Sequence, residues 1–217
     1  MVRPESFFDL SECEHSELFE GLDSVWEALA RMPAYLERRL GGAPSGGEPR
    51  IHLSPGAVVE EGAQVTGPAL IGAGAHVYAG TLVRGPVILG RGAVVGRGSE
   101  VTRSILLDEA HVPHLNYVGD SILGSSVNLG AGAVCSNVKL DKGAIKIRVG
   151  EREYDTGMAR LGAILGDGVE VGCNVVLNPG TLVGPGTRIY PGVSLRGYFP
   201  GHHIIKVRQQ VEIIRRK

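Results

Sequence analysis

Aliphatic residues recur every six positions through most of this 217-residue chain. The series runs Val59, Val65, Ile71, Val77, Val83, Leu89, Val95, Val101 and Leu107, then Leu123, Leu129 and Cys135, then Leu165, Val171, Leu177, Val183, Ile189 and Leu195. Glycine often follows at once, as in Ile71-Gly72, Leu89-Gly90, Leu129-Gly130 and Val171-Gly172. A period of six matches neither a lone helix nor an alternating strand. It fits a short strand, a tight turn and another strand, repeated as a solenoid. The aliphatic points inward, a small residue packs beside it, and glycine relieves the corner. Three such faces close a triangular prism whose neighbouring coils pair as parallel strands. The eighteen inward positions, three to a coil, predict six coils. At ~4.8 Å per coil the prism is about 30 Å tall. A Gly-rich β-sandwich is the competing all-β architecture, but a sandwich does not hold one period through nine successive units.

Composition narrows the function classes. Glycine accounts for 33 residues, not at every third position, which excludes collagen. Lys+Arg 22 against Asp+Glu 23 gives a net charge of −1, so no strongly basic face for nucleic acid is indicated. No apolar run approaches the ~18 residues of a membrane span. The acidic N-terminus, MVRPESFFDLSECEHSELFEG, lacks the continuous apolar stretch of a secretory signal. Cys13, Cys135 and Cys173 are odd in number, far apart and without CxxC spacing. They suggest reduced thiols in a cytoplasmic protein.

Three zones follow from these patterns. Residues 1–48 read as a helical N-terminal segment ending in a Gly/Pro-rich linker. Ser24 and Glu27 are spaced as a capping box, Pro33 predicts a break or a second helix, and Gly41 predicts a stop. Residues 49–200 hold the repeat, and 201–217 form a basic tail. Two interruptions mark the repeat, and interruptions of a solenoid are where function tends to sit. The first is 108–122. The second, 139–160, alternates Ile145, Ile147 and Val149 with Lys146 and Arg148, and predicts a hairpin projecting from the prism with its turn near Gly150-Glu151.

Around the first interruption the chain reads His114-Leu115-Asn116-Tyr117-Val118-Gly119-Asp120, then Val127-Asn128-Leu129-Gly130-Ala131-Gly132 and Ser136-Asn137. The repeat resembles that of the hexapeptide-repeat acyltransferases. The longer string is similar to the acetyltransferase domain of the bifunctional glucosamine-1-phosphate acetyltransferases/N-acetylglucosamine-1-phosphate uridylyltransferases and related sugar-1-phosphate nucleotidyltransferases, over residues 55–200. The resemblance implies a left-handed parallel β-helix, a homotrimer, acetyl-CoA as co-substrate and an amino-sugar phosphate such as glucosamine-1-phosphate as acceptor. It also implies roles. His114 matches the general base, and imidazole titrates near neutrality, as deprotonating an amine requires. Asn137 matches a residue near the acetyl-transfer point. Arg84 matches a phosphate-binding arginine, and a guanidinium fork suits phosphate. Glu100, Tyr117 and Asn128 match sugar contacts, and Lys146 a phosphate contact in the inserted loop. Ala131 and Cys173 match the lining of the acetyl-CoA groove. Arg208 and the basic tail around it are candidates for the 3′-phosphate of CoA or are simply solvated.

Two departures qualify the resemblance. Thr102 stands where such proteins usually carry a phosphate-binding lysine, which leaves another amino sugar, or a nucleotide-linked one, open as acceptor. No Gly-rich nucleotide loop precedes the repeat, so uridylyl transfer is not expected of this chain, and a separate nucleotidyltransferase becomes a possible partner of a non-catalytic scaffold. A zinc site would have to draw on His76, His111 and His114, whose neighbours do not match the three-histidine pattern of γ-type carbonic anhydrases. No metal is expected.

Overall fold

A computed structural model describes residues 2–41, 50–208 and 210–216. Residues 42–49 of the predicted linker, and the terminal Lys217 of the tail, lie outside them. The repeat folds as the left-handed parallel β-helix. Three parallel sheets of eight, eight and seven short strands form its faces. The first face begins with Ile51–Leu53, the second with Val58–Val59 and the third with Gln64–Thr66, and each coil adds one strand to each face. The stack therefore has eight coils, the last incomplete, in place of the six read from the sequence.

Three of the strands missed lie at the ends of the β-helix, Ile51–Leu53, Tyr198–Phe199 and Ile204–Ile205, and two in the middle, where two corners are one residue shorter than the rest. Register partners on the first face are eighteen residues apart at Ile71↔Leu89, but seventeen at Leu89↔Leu106 and at Leu106↔Leu123. Leu106, rather than Leu107, is the inward residue; Leu107 packs outside the prism, in the second core cluster. The stretch 108–122 is thus no interruption but an ordinary coil carrying Val112 and Val118 inward. Arg103 and Asp120 turn the shortened corners with φ of 46° and 45°. The hydroxyl of Ser104 donates to Thr102 O at 2.8 Å, and that of Ser121 to Gly119 O at 2.8 Å. Each hydroxyl also accepts the backbone N–H of the next coil, from Ser121 at 3.1 Å and Ala163 at 3.0 Å. The ladder meets the need of buried backbone groups for partners at a corner where the strands stop.

A second core lies outside the prism. Leu70, Ile88, Ile105, Ile122, Ile164 and Leu182 point outward from the first face and are still at most 2% exposed. The N-terminal segment covers them with Phe7, Phe19, Trp26 and the helix α1 (Glu27–Arg39). Burying each such aliphatic is worth about 1.5–3 kcal/mol relative to exposure. That gain outweighs Pro33, which sits inside a continuous α1 where a break is expected: Leu29, Met32 and Leu36 form one buried stripe across it. The Ser24–Glu27 capping box does not form. Trp26 is the N-cap, without a side-chain bond, and Ser24 contributes its backbone O to Glu27 N. Gly41 does end the helix, at φ 82°. Asp167 clasps the segment to the prism, accepting from Asp9 N and Ser125 N, each at 2.7 Å.

The second interruption is the hairpin Lys146–Val149 and Arg152–Asp155, paired antiparallel around Gly150-Glu151. It does not stand free of the prism. Ile145, Ile147 and Val149 are at most 4% exposed and extend the second core beside Leu182. The β-helix itself continues past residue 200, since Ile204–Ile205 pairs with Arg188–Ile189. No helix among the described residues is long and apolar enough to cross a membrane.

Candidate functional site

With the first face covered, the second and third remain open, and most of the site candidates lie on them or at their shared corner; Lys146 and Arg208 do not. His114 stands at that corner, just after Pro113. Its backbone N–H donates to Asn116 Oδ1 at 3.0 Å, and the buried Asn116 donates in turn to Gly130 O at 2.7 Å. The corner is therefore rigid while the imidazole is exposed. Among the described residues neither ring nitrogen of His114 has a hydrogen-bond partner, so both are free to meet a ligand.

Backbone bonds run from this corner up the stack. Gly132 N donates to His114 O at 3.1 Å, and Asn174 N to Ala131 O at 2.9 Å. His114, Ala131 and Cys173 therefore occupy one column on successive coils. Beside Ala131 and Cys173 stand Gly130 and Gly172, where an added Cβ would lie 2.6 Å and 2.5 Å from the next coil's backbone. Coil stacking forces glycine at both of those positions, and Ala131 and Cys173 beside them carry small side chains. Arg97 occupies the same column one coil before His114, because Leu115 N donates to Arg97 O. The sequence reading missed it; the signal was its seventeen-residue offset from His114, one shortened coil.

Arg84, Glu100 and Tyr117 share the third face. Glu100 and Tyr117 are register partners, and Arg84 Nε donates to Glu100 Oε1 at 3.1 Å, with a second guanidinium contact to the same oxygen. An exposed pair of this kind is worth about 0–1 kcal/mol, so a phosphate can compete with Glu100 for the guanidinium. Asn128 lies on the second face, between His111 and Glu170 in register, its amide 3.4 Å from Glu170 Oε2. The sugar-contact candidates thus straddle the His114 corner.

Asn137 sits at the opposite edge of the third face and is 6% exposed. Its Oδ1 accepts from Tyr117 Oη at 3.4 Å, and its Nδ2 donates to Asp120 Oδ2. Asp120 also holds Arg103 in a fork, at 2.7 and 2.6 Å. Those hydrogen bonds raise the Arg103 pKa above its ordinary value. The position after Thr102 is therefore committed to an ion pair, and Thr102 itself is 1% exposed. Within one chain Asn137 does not meet His114, since the width of the third face separates them.

Lys146 is not brought to Arg84 either. It pairs with Glu153 at 3.5 Å and lines a cavity with Lys139, Arg148 and Arg196. Arg196 follows the third-face strand five steps beyond that of Arg84, so the two lie about 24 Å apart at ~4.8 Å per step. Arg208 is exposed, three residues beyond the last paired residue, Ile205. Cys135 points into the prism core, and burial pushes its thiol up to about 12, so it is packing rather than chemistry. Among the described residues no group of three or more His, Cys, Asp and Glu side chains is placed to hold a metal. His76 instead stacks on Tyr78 and bonds Glu60 at 2.9 Å.

Comparison with known proteins finds the following similarities. A bifunctional sugar-1-phosphate nucleotidylyltransferase/acetyltransferase of Sulfurisphaera tokodaii is 38% identical over 80 residues, 37% of this chain and 20% of the relative. The bifunctional protein GlmU of Methanocaldococcus jannaschii is 35% identical over 80 residues, 37% of this chain and 19% of the relative. The matches span only about a fifth of these relatives' length. Among solved structures, the acetyltransferase domain of PglB from Neisseria gonorrhoeae overlaps 58% of this chain and 51% of its own, at TM-score 0.46 and 20% identity. PerB from Caulobacter crescentus, in complex with CoA and GDP-perosamine, overlaps 62% and 53%, at TM-score 0.41 and 24% identity. The family described as the GMPPB C-terminal domain matches residues 65–189, more than half of the chain and most of its repeat. The chain belongs to the GMPPB C-terminal domain family.

Proposed function

We propose that this chain transfers an acetyl group from acetyl-CoA to the amine of an amino-sugar phosphate, most simply glucosamine-1-phosphate. The observation that carries it is the column His114–Ala131–Cys173: an exposed imidazole with both nitrogens free, at the end of a line of small residues suited to an extended thioester. The names of the S. tokodaii and M. jannaschii relatives support the same chemistry. The sugar amine attacks the thioester carbonyl. A C–N bond forms, the C–S bond breaks, and the CoA thiolate leaves. His114 accepts the proton that the attacking nitrogen must lose, and can return it to the leaving sulfur. Arg84 holds the acceptor phosphate, and Glu100, Tyr117 and Asn128 flank the sugar. Asn137, fixed between Tyr117 and Asp120, shapes the far edge of the third face. On this reading the chain works as a cytoplasmic homotrimer, with the two uncovered faces available for packing about a three-fold axis.

A second reading, a non-catalytic scaffold for a separate nucleotidyltransferase, draws on the Arg84–Glu100 pair and the buried Thr102. An acceptor panel separates the two. With acetyl-CoA and glucosamine-1-phosphate, glucosamine-6-phosphate and a nucleotide-linked amino sugar, mass spectrometry should find an N-acetylated product from at least one, with glucosamine-1-phosphate turned over fastest. No product from any acceptor would favour the scaffold. Preference for a nucleotide-linked sugar would keep the chemistry and change the acceptor.

A further inference from the structure

The inserted segment is rich in cations: Lys139, Lys142, Lys146 and Arg148 fall within ten residues. The fold brings three of them against the prism. Lys139 and the hairpin form one wall of a cleft; Asn178, Pro179 and Arg196, at the edge of the third face, form the other. The cleft has two adjoining cavities of about 400 and 480 Å³, both lined by Lys139, Pro179 and Arg196. Lys146 and Arg148 line the second.

Charge is unbalanced here. The cations Lys139, Lys146, Arg148 and Arg196 face two carboxylates, Asp141 and Glu153. Glu153 is shared by Lys146 at 3.5 Å and Arg148 at 4.0 Å. Asp141 takes Lys139 at 3.1 Å and is also tied down by Gly143 N at 3.0 Å. Arg196 makes no ion pair within 4.0 Å among the described residues, although its charge reaches Asp141 and helps to lower that carboxyl's pKa. Arg196 stands in one row with Ser136 and Asn178, and like them lines the first cavity. Beside this row Leu140 is fully exposed, and with Pro179 it gives the first cavity an apolar rim.

We propose that this cleft is a second anion site, remote from Arg84, that takes the diphosphate of a phosphorylated small molecule, with Arg196 and Lys139 as its principal holders. Lys139 and Arg196, shared by both cavities, with Lys146 and Arg148 in the second, offer enough cations to hold two linked phosphates rather than one. The apolar rim of Leu140 and Pro179 offers a surface to a base or sugar attached to them. Nothing in this assignment depends on acyl transfer.

Titration calorimetry on the full chain tests it without an activity assay. Arg84→Ala serves as the background, removing the other phosphate candidate. Inorganic pyrophosphate and ADP are titrated separately, at constant ionic strength. Saturable binding of either is expected, with affinity falling about tenfold or more in Arg196→Ala and in Lys139→Ala, a loss of about 1.4 kcal/mol. Arg188→Ala, an exposed arginine on the second face, should bind as the background does. ADP binding more tightly than pyrophosphate would identify a nucleotide as the ligand class; equal affinity would identify the diphosphate alone. No heat with either probe at millimolar concentration overturns the assignment. So does unchanged affinity in an Arg196→Ala/Lys139→Ala protein of unaltered thermal stability, or an equal loss in Arg188→Ala. Binding here without acetyl transfer would overturn the proposed function and leave this site standing.

Discussion

A Cβ on residue 119 would stand 2.6 Å from Asn137 Nδ2 and 2.7 Å from Tyr117 Oη. Gly119 is therefore required for the Tyr117–Asn137–Asp120 arrangement, not for backbone freedom. Gly119→Ala should push those side chains apart at a cost of about 1–3 kcal/mol. A fall in Tm and weaker acceptor binding in the same variant would show it; an unchanged Tm would mean the corner relaxes freely. Cysteine reactivity divides along the same residue-level lines. Cys173 is exposed, while Cys135 is buried with its thiol pushed up to about 12. Iodoacetamide at neutral pH should label Cys173 and spare Cys135 in the folded protein, since the thiolate is the reactive form. If the acyl donor lies along the His114–Ala131–Cys173 column, acetyl-CoA should slow that labelling, as peptide mapping can follow.

At the level of elements, the N-terminal segment carries its own pH dependence. His15 is 2% exposed, bonded to Tyr35 Oη at 2.8 Å, with Glu14, Arg39 and Asp108 around it. Burial lowers its pKa below the ordinary 6.5. As pH falls below that value the unfolded segment takes up the proton first, so stability is full above about 6.5 and declines beneath it. Asp167 acts oppositely: burial raises its pKa, so acidification favours its docked form, but only nearer the carboxylate range. Trp26, the single tryptophan, lies 4% exposed in the segment and reports on it. Its emission should shift to the red between pH 6.5 and 5, and far less in His15→Gln. An unshifted wild-type emission would contradict the His15 effect.

The elements also show what the sequence makes legible. The six-residue period declares the prism because stacking demands it at every coil. It fails where Arg103 and Asp120 shorten a corner by one residue, since a pattern fixed at six reads the slip as a break. The hairpin's pairing is visible in the alternation of Ile145, Ile147 and Val149, but their destination is not: alternation marks one buried face without saying against what. Pro33 misleads because helix propensity is local, while the stripe that carries α1 through it is tertiary. The candidate site is proposed from the sequence at His114 and Tyr117 through a motif. The Arg103–Asp120 pair and the Lys139–Arg196 cleft join residues 17 and 57 positions apart, and no local spacing announces them.

For the whole molecule, the N-terminal segment is half of a core rather than an appendage. Removing residues 1–48 would bare Leu70, Ile88, Ile105, Ile122, Ile164 and Leu182 as one apolar stripe along the first face. Such a patch drives association. The truncated chain should bind a hydrophobic dye and aggregate, and a monodisperse product of wild-type stability would refute the second core. The two remaining faces meet at His114, where the proposed chemistry would join the architecture. Thiol release from acetyl-CoA with glucosamine-1-phosphate, wild type beside His114→Ala, tests that connection most directly. Release by the wild type, lowered about 10²–10⁴-fold in the variant as loss of a general base requires, is the predicted result. Equal turnover by a folded His114→Ala protein would contradict it.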